Sequence, residues 1–170
     1  MDHQQHTEEA FLKLYDDVAE PLFRHCYFRV SSRELAEDLT QEAFLRMWNY
    51  LAAGNAVDNP KALLYRIAGN LIIDHYRRKK EVSLDMLAED GYDPAGDGAD
   101  SILDQAEGQK ALELLEKLEP QYREILTLRY VSDLSITEIA EVVGQSENAV
   151  SVRIHRGIQK LKTIFHHGTN

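Results

Sequence analysis

Basic and polar side chains near the C-terminus are the residues of this 170-residue chain best suited to bind nucleic acid. Residues 148–170 contain four Arg or Lys residues and no Asp or Glu. A helix that begins after Ser146 would have an apolar face and, opposite to it, a polar and basic face. The polar face would carry Ser151, Val152, His155, Arg156, Gln159 and Lys160.

Several side chains of this face have a chemistry that suits DNA. Arg156 can bind a guanine edge or a phosphate, Lys160 can lie beside the backbone, and Val152 can make an apolar base contact. The free amides at the N-terminus of the helix can bind a phosphate. The residues at that N-terminus are Ser146, Glu147 and Asn148. An ordinary amphipathic helix with a solvated basic face is the alternative; the lack of acidic residues after Glu147 favours DNA.

A second basic block, Arg77-Arg78-Lys79-Lys80, lies near the middle of the chain. Helical spacing places a row of polar side chains on one face before it, with two tyrosines nearby. The row consists of Arg66, Asn70, Asp74, Arg77 and Arg78, and the tyrosines are Tyr65 and Tyr76. Basic groups beside aromatic rings suit single-stranded nucleic acid. Cations that complement the dipole at a helix C-terminus are the alternative explanation.

Both basic blocks lie in an acidic background. The chain has 19 Lys and Arg residues against 29 Asp and Glu residues, which gives a net charge of −10. Residues 81–107 hold nine acidic residues and no basic one. Because salt screens exposed charges beyond about 10 Å, the local charge decides what binds, and the net charge does not exclude nucleic acid.

The positions of apolar residues predict an all-α protein. These residues recur every three or four positions, and no convincing alternating run occurs. Segment 88–100 has three Gly, one Pro and no large aliphatic residue, which is typical of a solvated linker. We therefore predict two small helical domains, 1–80 and 101–170, joined by an acidic flexible linker over 81–100.

Three or four helices are predicted in the first domain, and the starts of three can be placed. One runs from Thr7 to about Val30, and Pro21 should end or kink it. The next begins at a capping box, Ser31-Ser32-Arg33-Glu34. The third begins at Asn59-Pro60, because Asn is a good cap and Pro is tolerated at the first helical position. It should end in the basic block.

Four helices are predicted in the second domain. One is capped by Ser101 and runs to about Leu118, and another begins at Pro120. A capping box at 135–138 opens a short helix that Gly144 ends. The final helix runs from Ser146 to about Phe165. The short helix, the turn and the final helix form a helix-turn-helix pattern.

Several other functions are excluded or disfavoured. Cys26 is the only cysteine, so no internal disulfide or multi-cysteine zinc site can form. No run approaches the roughly 20 apolar residues of a membrane span, and the polar N-terminus has no signal-peptide pattern. We expect a soluble cytoplasmic protein with no cofactor and no metal. No motif supplies catalytic residues, so an enzyme is not expected.

Taken in order, three stretches resemble bacterial RNA polymerase sigma factors of the extracytoplasmic-function group, part of the sigma-70 related family. Residues 36–48, AEDLTQEAFLRMW, are similar to the family's polymerase-binding stretch. Residues 59–78, NPKALLYRIAGNLIIDHYRR, are similar to its −10 promoter region. LEPQYRE at 118–124, with the helix-turn-helix, is similar to its −35 reader. Leu63 stands where the family often has Trp, and Gly69 where it has a larger residue.

The resemblance implies a role for each stretch. The clamp of the polymerase largest subunit would contact Asp38, Gln41, Glu42, Arg46 and Trp48. The −10 element, with a flipped base, would contact the loop 51–60, Tyr65, Arg66, Asn70, Asp74, Arg77 and Arg78. The −35 major groove would contact Ser146, Glu147, Asn148, Ser151, Val152, His155, Arg156 and Lys160.

The resemblance also implies partners and an activity. The protein would direct promoter-specific initiation, its C-terminal domain would dock on the flap of the second-largest subunit, and an anti-sigma factor would hold it inactive. It would be a monomer when free. A regulator that binds duplex DNA without polymerase, through the helix-turn-helix alone, is the main alternative. A purely protein-binding helical module would leave both basic blocks unexplained.

Overall fold

The computed structural model describes residues 2–86 and 106–168, and every regular element in them is helical. The first half contains α1 (Asp2–Val30), α2 (Arg33–Ala52) and α3 (Pro60–Met86). The second half contains α4 (Ala106–Glu116), α5 (Pro120–Leu126), α6 (Ile136–Val143) and α7 (Glu147–His167). A π-helical turn, Thr127–Val131, continues directly from α5. The predicted all-α class is confirmed.

Helix α1 is longer than predicted and passes through Pro21 without ending. Of the two outcomes predicted for Pro21, an end of the helix is therefore wrong. Val18, Leu22 and Cys26 are buried on both sides of the proline. Packing of this apolar face against α2 and α3 stabilises the helix where local propensity does not. His25 and Cys26 are also buried in this core.

Helix α2 is capped one residue later than predicted. The Ser32 hydroxyl accepts a hydrogen bond from the amide of Leu35, so Ser32 is the N-cap. Ser31 instead takes a left-handed conformation, with φ of 56°, and donates its hydroxyl to Glu116 of α4. The predicted capping box between Ser31 and Glu34 is replaced by a contact between the two halves of the chain.

Helix α3 begins as predicted, because the amide of Ala62 donates to Asn59 Oδ1 at 3.0 Å. It does not end in the basic block but continues to Met86. The first six residues of the predicted linker are therefore helical, and residues 87–105, including the predicted cap Ser101, lie outside the described residues. The basic block consequently lies within the helix, so complementation of a terminal dipole does not explain it.

The second half is built around a close contact between α5 and α7. A Cβ added to Gly157 of α7 would lie 3.3 Å from the Leu126 side chain of α5. The absence of a side chain at Gly157 therefore lets the two helices approach closely. Among residues 2–86 and 106–168, no helix has both the length and the apolar character that a membrane crossing needs.

The two halves pack against each other. Helix α3 contacts α6, and α1 contacts the π-helical turn. Arg123 of α5 donates to the main-chain oxygen of Phe28 at 2.7 Å and to the Ser31 hydroxyl. The buried Arg29 of α1 lies 3.7 Å from Glu124. The sequence did not settle whether the halves pack, because these pairs lie about a hundred residues apart.

Candidate nucleic-acid and protein interfaces

The helix-turn-helix is fixed by local hydrogen bonds. Ser135 and Glu138 form the predicted capping box at the start of α6. Gly144 ends α6 in a left-handed conformation, with φ of 65°, which glycine adopts without steric cost. The Ser146 hydroxyl accepts from the amide of Ala149 and caps α7. Apolar packing of Ile139, Ala140 and Val150 sets the crossing of the two helices.

The polar face of α7 is accessible as predicted. Asn148, His155 and Arg156 are exposed, and Ser151 is half-buried beside them. Val152 is 41% exposed, although the apolar residues Val150 and Ile154 on the other face are buried. A large apolar side chain within a polar surface is what an apolar base contact requires. Residues 148–156 of α7 therefore present hydrogen-bonding groups, the Arg156 cation and the apolar Val152 side chain to the solvent.

Two residues predicted for this face have internal partners. Lys160 Nζ lies 2.7 Å from Glu119 Oε1 and 5.1 Å from the centre of the Tyr122 ring. Hydrogen bonds from Lys160 and Gln121 lower the pKa of Glu119 below its ordinary value. Thr137 of α6 donates to Glu147 Oε1 at 2.9 Å, which ties the two helices together at the turn. Lys160 is thus directed toward α5.

The predicted row on α3 lies on the outer surface. Arg66, Asn70, Arg77 and Arg78 are exposed, and Asp74 is half-buried with Oδ1 3.8 Å from Arg77. All five residues of the row lie within α3, which continues past the basic block to Met86. Its N-terminal member, Arg66, differs from the rest because it donates to the main-chain oxygens of Glu141 and Val142 in α6.

The two tyrosines differ in their accessibility. Tyr76 is 41% exposed, and its hydroxyl donates to the main-chain oxygen of Arg29. Tyr65 is completely buried, and its ring packs against His25 at 5.3 Å between centres. Burial raises the pKa of Tyr65 to about 12. In this conformation Tyr65 is a core residue, so its prediction as an accessible aromatic group is wrong.

The loop before α3 carries polar groups that face α6. Gly54 turns the chain with φ of 83°, and Asn55 donates to the Tyr50 main-chain oxygen. Asn59 caps α3 with its oxygen and donates its side-chain nitrogen to Glu141 at 2.8 Å. The loop 51–60 therefore lies beside the helix-turn-helix.

The outer face of α2 carries the residues predicted to bind protein. Asp38, Gln41 and Arg46 are exposed and Glu42 is half-buried, with Arg46 Nε 2.8 Å from Glu42 Oε1. Trp48 is half-buried, with its ring 5.1 Å from that of Phe11 in α1. Trp48 and Phe11 line a shallow groove of about 410 Å³ together with Glu8 and Leu12.

Two exposed apolar residues of α1 and α2 were not among the predicted site residues. Leu12 of α1 is 61% exposed and Leu45 of α2 is 54% exposed. Leu45 follows Gln41 by four residues and precedes Trp48 by three, so the three side chains share one stripe of α2. The spacing of these residues in the sequence could have identified Leu45 as part of this surface. The apolar patch, bordered by Asp38 and Glu42, is a surface suited to bind another protein.

Comparison with known families matches both halves. Residues 7–82 match the family described as Sigma-70 region 2. Residues 108–161 match the family described as Sigma-70, region 4. The first match covers α1 to α3 as far as Val82, and the second covers most of α4 and then α5 and the helix-turn-helix, ending within α7.

Curated relatives give the same assignment. The chain is 31% identical over 169 residues to the ECF RNA polymerase sigma factor SigW of Bacillus subtilis, covering 91% of this chain and 88% of that protein. It is 32% identical over 161 residues to the ECF sigma factor BldN of Streptomyces coelicolor, covering 92% of this chain but only 61% of the relative. The chain belongs to the extracytoplasmic-function family of RNA polymerase sigma factors, alternative sigma factors that direct transcription from specific promoters.

Solved structures share the fold. The sigma factor RpoE of Bartonella quintana, solved with the anti-sigma factor NepR, aligns with a TM-score of 0.73 at 21% identity, over 93% of this chain and 98% of that one. CnrH, solved with the cytosolic domain of CnrY, aligns with a TM-score of 0.72 at 24% identity, over 97% and 95%. Both halves and their helices therefore have counterparts in sigma factors.

Proposed function

We propose that this protein binds core RNA polymerase and reads the −35 element with α7 and the −10 element with α3. The single observation that carries the proposal is the presence of an exposed polar and basic surface on each half, one on α7 and one along α3. One face suits duplex DNA and the other suits a single strand. A protein that only binds an operator needs the first face but not the second.

The proposed −35 contacts lie on α7. Asn148, Ser151, Val152, His155 and Arg156 present their side chains to the solvent where a major groove would lie against the helix. Ser146 and Glu147 would act through the helix N-terminus, where free amides bind phosphate. Lys160 would contribute only after it leaves Glu119.

The proposed −10 contacts lie on α3 and on the loop before it. Arg77 and Arg78 would hold phosphates, while Asn70 and the loop 51–60 would border the pocket for a flipped base. Flipping a base costs a few kcal/mol, which such a pocket must offset. Tyr76, exposed beside the basic block, is the aromatic residue available for stacking.

The proposed polymerase contact is the stripe of α2 with its groove. Asp38, Gln41 and Glu42 would meet polar groups of the largest-subunit clamp, and Leu45 and Trp48 would pack against apolar ones. The C-terminal half would dock on the flap of the second-largest subunit. An anti-sigma factor is a further proposed partner, supported by the structural neighbour RpoE, which was solved with the anti-sigma factor NepR. The cytoplasm, where polymerase and promoters are found, is the proposed location.

In-vitro transcription tests the proposal. Core RNA polymerase from the same organism would transcribe fragmented genomic DNA with and without this protein, and the transcript starts would be sequenced. We expect new starts that depend on the protein and share paired upstream elements. The Arg156→Ala variant is the matched control, because it should alter start selection without preventing core binding. If no new starts appear while the folded chain alone binds a duplex tightly, the protein is a stand-alone regulator.

A further inference from the structure

Polar groups proposed to read the −10 element are occupied by the protein itself. Asn59 donates to Glu141, Lys61 Nζ lies 3.4 Å from Glu138, and Arg66 donates to the last carbonyls of α6. Lys61 lies within the stretch that resembles the −10 region, five residues before Arg66. All three partners belong to α6, the first helix of the helix-turn-helix.

The end of α6 presents the kind of charge that a DNA backbone presents. The last carbonyls of a helix carry a partial negative charge and lack helical amide partners. Glu138 and Glu141 add two carboxylates along the same helix. Although burial opposes it, hydrogen bonds from Ser135 and the charge of Lys61 lower the pKa of Glu138. The helix thus offers anionic groups to Lys61 and Arg66.

The rest of the junction, meaning the contact surface between the two halves, contains buried polar groups that lack full hydrogen bonding. Arg29 is 5% exposed, and its Nη1 has no hydrogen-bond partner among the described residues, since Glu124 lies 3.7 Å away. The hydroxyls of Tyr65 and Ser132 are buried beside each other, and neither makes a well-formed hydrogen bond to another described group. Both line a cavity of about 330 Å³ between the halves. Burying such groups without full partners costs free energy, and this cost reduces the net stability of the closed arrangement.

We infer that the C-terminal half is an internal competitor of promoter DNA: the anionic end of α6 occupies the −10 reading groups, and opening of the junction between Arg29 and Glu124 releases them. This inference rests on the proposed function of α3. The α7 face stays exposed in the closed arrangement, so the competition concerns the single-strand site alone.

The Glu124→Lys variant tests the inference. Its one described ion pair is with Arg29 in the other half, so the substitution places two cations against each other across the junction. The Glu113→Lys variant is the matched control, because it makes the same charge change on the exposed surface of α4, which packs on α7. Circular dichroism would check that both variants keep their helical content. If Glu124→Lys loses it, Arg123→Ala, which removes the bond to Phe28, takes its place.

Two measurements keep the inference separate from the proposed function. Small-angle X-ray scattering reports the radius of gyration, which is about 16 Å for a compact chain of this length. Anisotropy of a fluorescein-labelled single strand of mixed sequence, about 15 nucleotides long, reports binding to the free protein. We expect Glu124→Lys to increase the radius and to tighten binding about fivefold relative to Glu113→Lys, because affinity scales with the open fraction.

Two other results would each contradict one step of the inference. An unchanged radius with an intact fold would show that Glu124 does not hold the halves together, whatever the function. A larger radius with unchanged single-strand binding would show that α6 does not compete with nucleic acid. Transcription by the wild-type protein with core polymerase decides the proposed function independently of both results.

Discussion

Lys160 Nζ lies 2.7 Å from Glu119 Oε1, so a lysine from the predicted reading face is directed toward the start of α5. Arg156, one turn earlier in α7, is exposed and keeps its guanidinium on the polar face. The two basic residues look equivalent in the sequence. Their surroundings differ, because only Lys160 has a carboxylate and an aromatic ring of α5 within reach.

Arg156→Ala is expected to weaken −35 recognition by about 1–3 kcal/mol and to relax the preference at one base pair, since a bidentate base contact is lost. Competition between duplexes that differ at that base pair, measured with the polymerase-bound protein, checks the prediction. Lys160→Ala should have a smaller effect. A loss that is equal for all sequences would make Arg156 a phosphate contact instead.

Charge reversal at Asp38 is expected to lower the affinity for core polymerase without changing helical content. The side chain is exposed on α2 and borders the apolar stripe, so the change alters the surface and not the core. Surface plasmon resonance with immobilised core enzyme measures the affinity. Glu113→Lys serves as a control with the same charge change. Equal affinity of wild type and Asp38→Lys would exclude this face as the contact.

Local signals predicted most of the elements, and long-range contacts account for most of the errors. Ser135, Gly144 and Ser146 act within four residues of themselves, and all three caps are as predicted. The continuation of α1 through Pro21 depends on packing against other helices, and the residues next to Pro21 in the sequence do not reveal that packing. Tyr65 could have been placed in the core, because it is adjacent to Leu64 and three residues from Ala68 on the buried face of α3.

The residues of the exposed faces could be predicted from the sequence, but their contacts with other helices could not. The exposed residues of α7 and α3 follow from periodicity, since each face needs only its own helix. The contact of Arg66 with α6 joins positions 75 residues apart, and nothing in either stretch identifies its partner. The same holds for Lys160 and Glu119, which lie 41 residues apart. Sequence patterns identify which groups can bind DNA, whereas tertiary packing decides which are free to do so.

Gly157→Val is expected to destabilise the second half by about 1–3 kcal/mol, because side-chain atoms would enter a contact that is already close. A Cβ alone would lie 3.3 Å from Leu126, tighter than an ordinary contact. Thermal unfolding followed by circular dichroism measures the effect. An unchanged melting temperature would mean that α5 and α7 can separate without cost.

Gly69→Ala is expected to have the opposite effect. A Cβ there would lie 3.6 Å from Glu124 Oε1, an ordinary van der Waals distance, and Gly69 lies within α3. Replacing a helical glycine by alanine therefore stabilises the helix by up to about 1 kcal/mol. The same melting experiment tests this change. A lower melting temperature would show that the two halves require the space above Gly69.

Stability is expected to decrease by about 1 kcal/mol between pH 7 and pH 5.5 because of His25. Burial, with a smaller contribution from the charge of Arg29, lowers the pKa of His25 to about 3, so the ring is neutral in the folded protein. In the unfolded chain its pKa is near 6.5, so the unfolded state binds the proton first as the pH falls. Urea unfolding at the two pH values measures the difference, and His25→Leu should remove most of it. Burial and the charges of Lys79 and Arg78 also lower the pKa of His75, which leaves a residual dependence of the same sign. A pH dependence that is identical in wild type and His25→Leu would mean that other groups cause it.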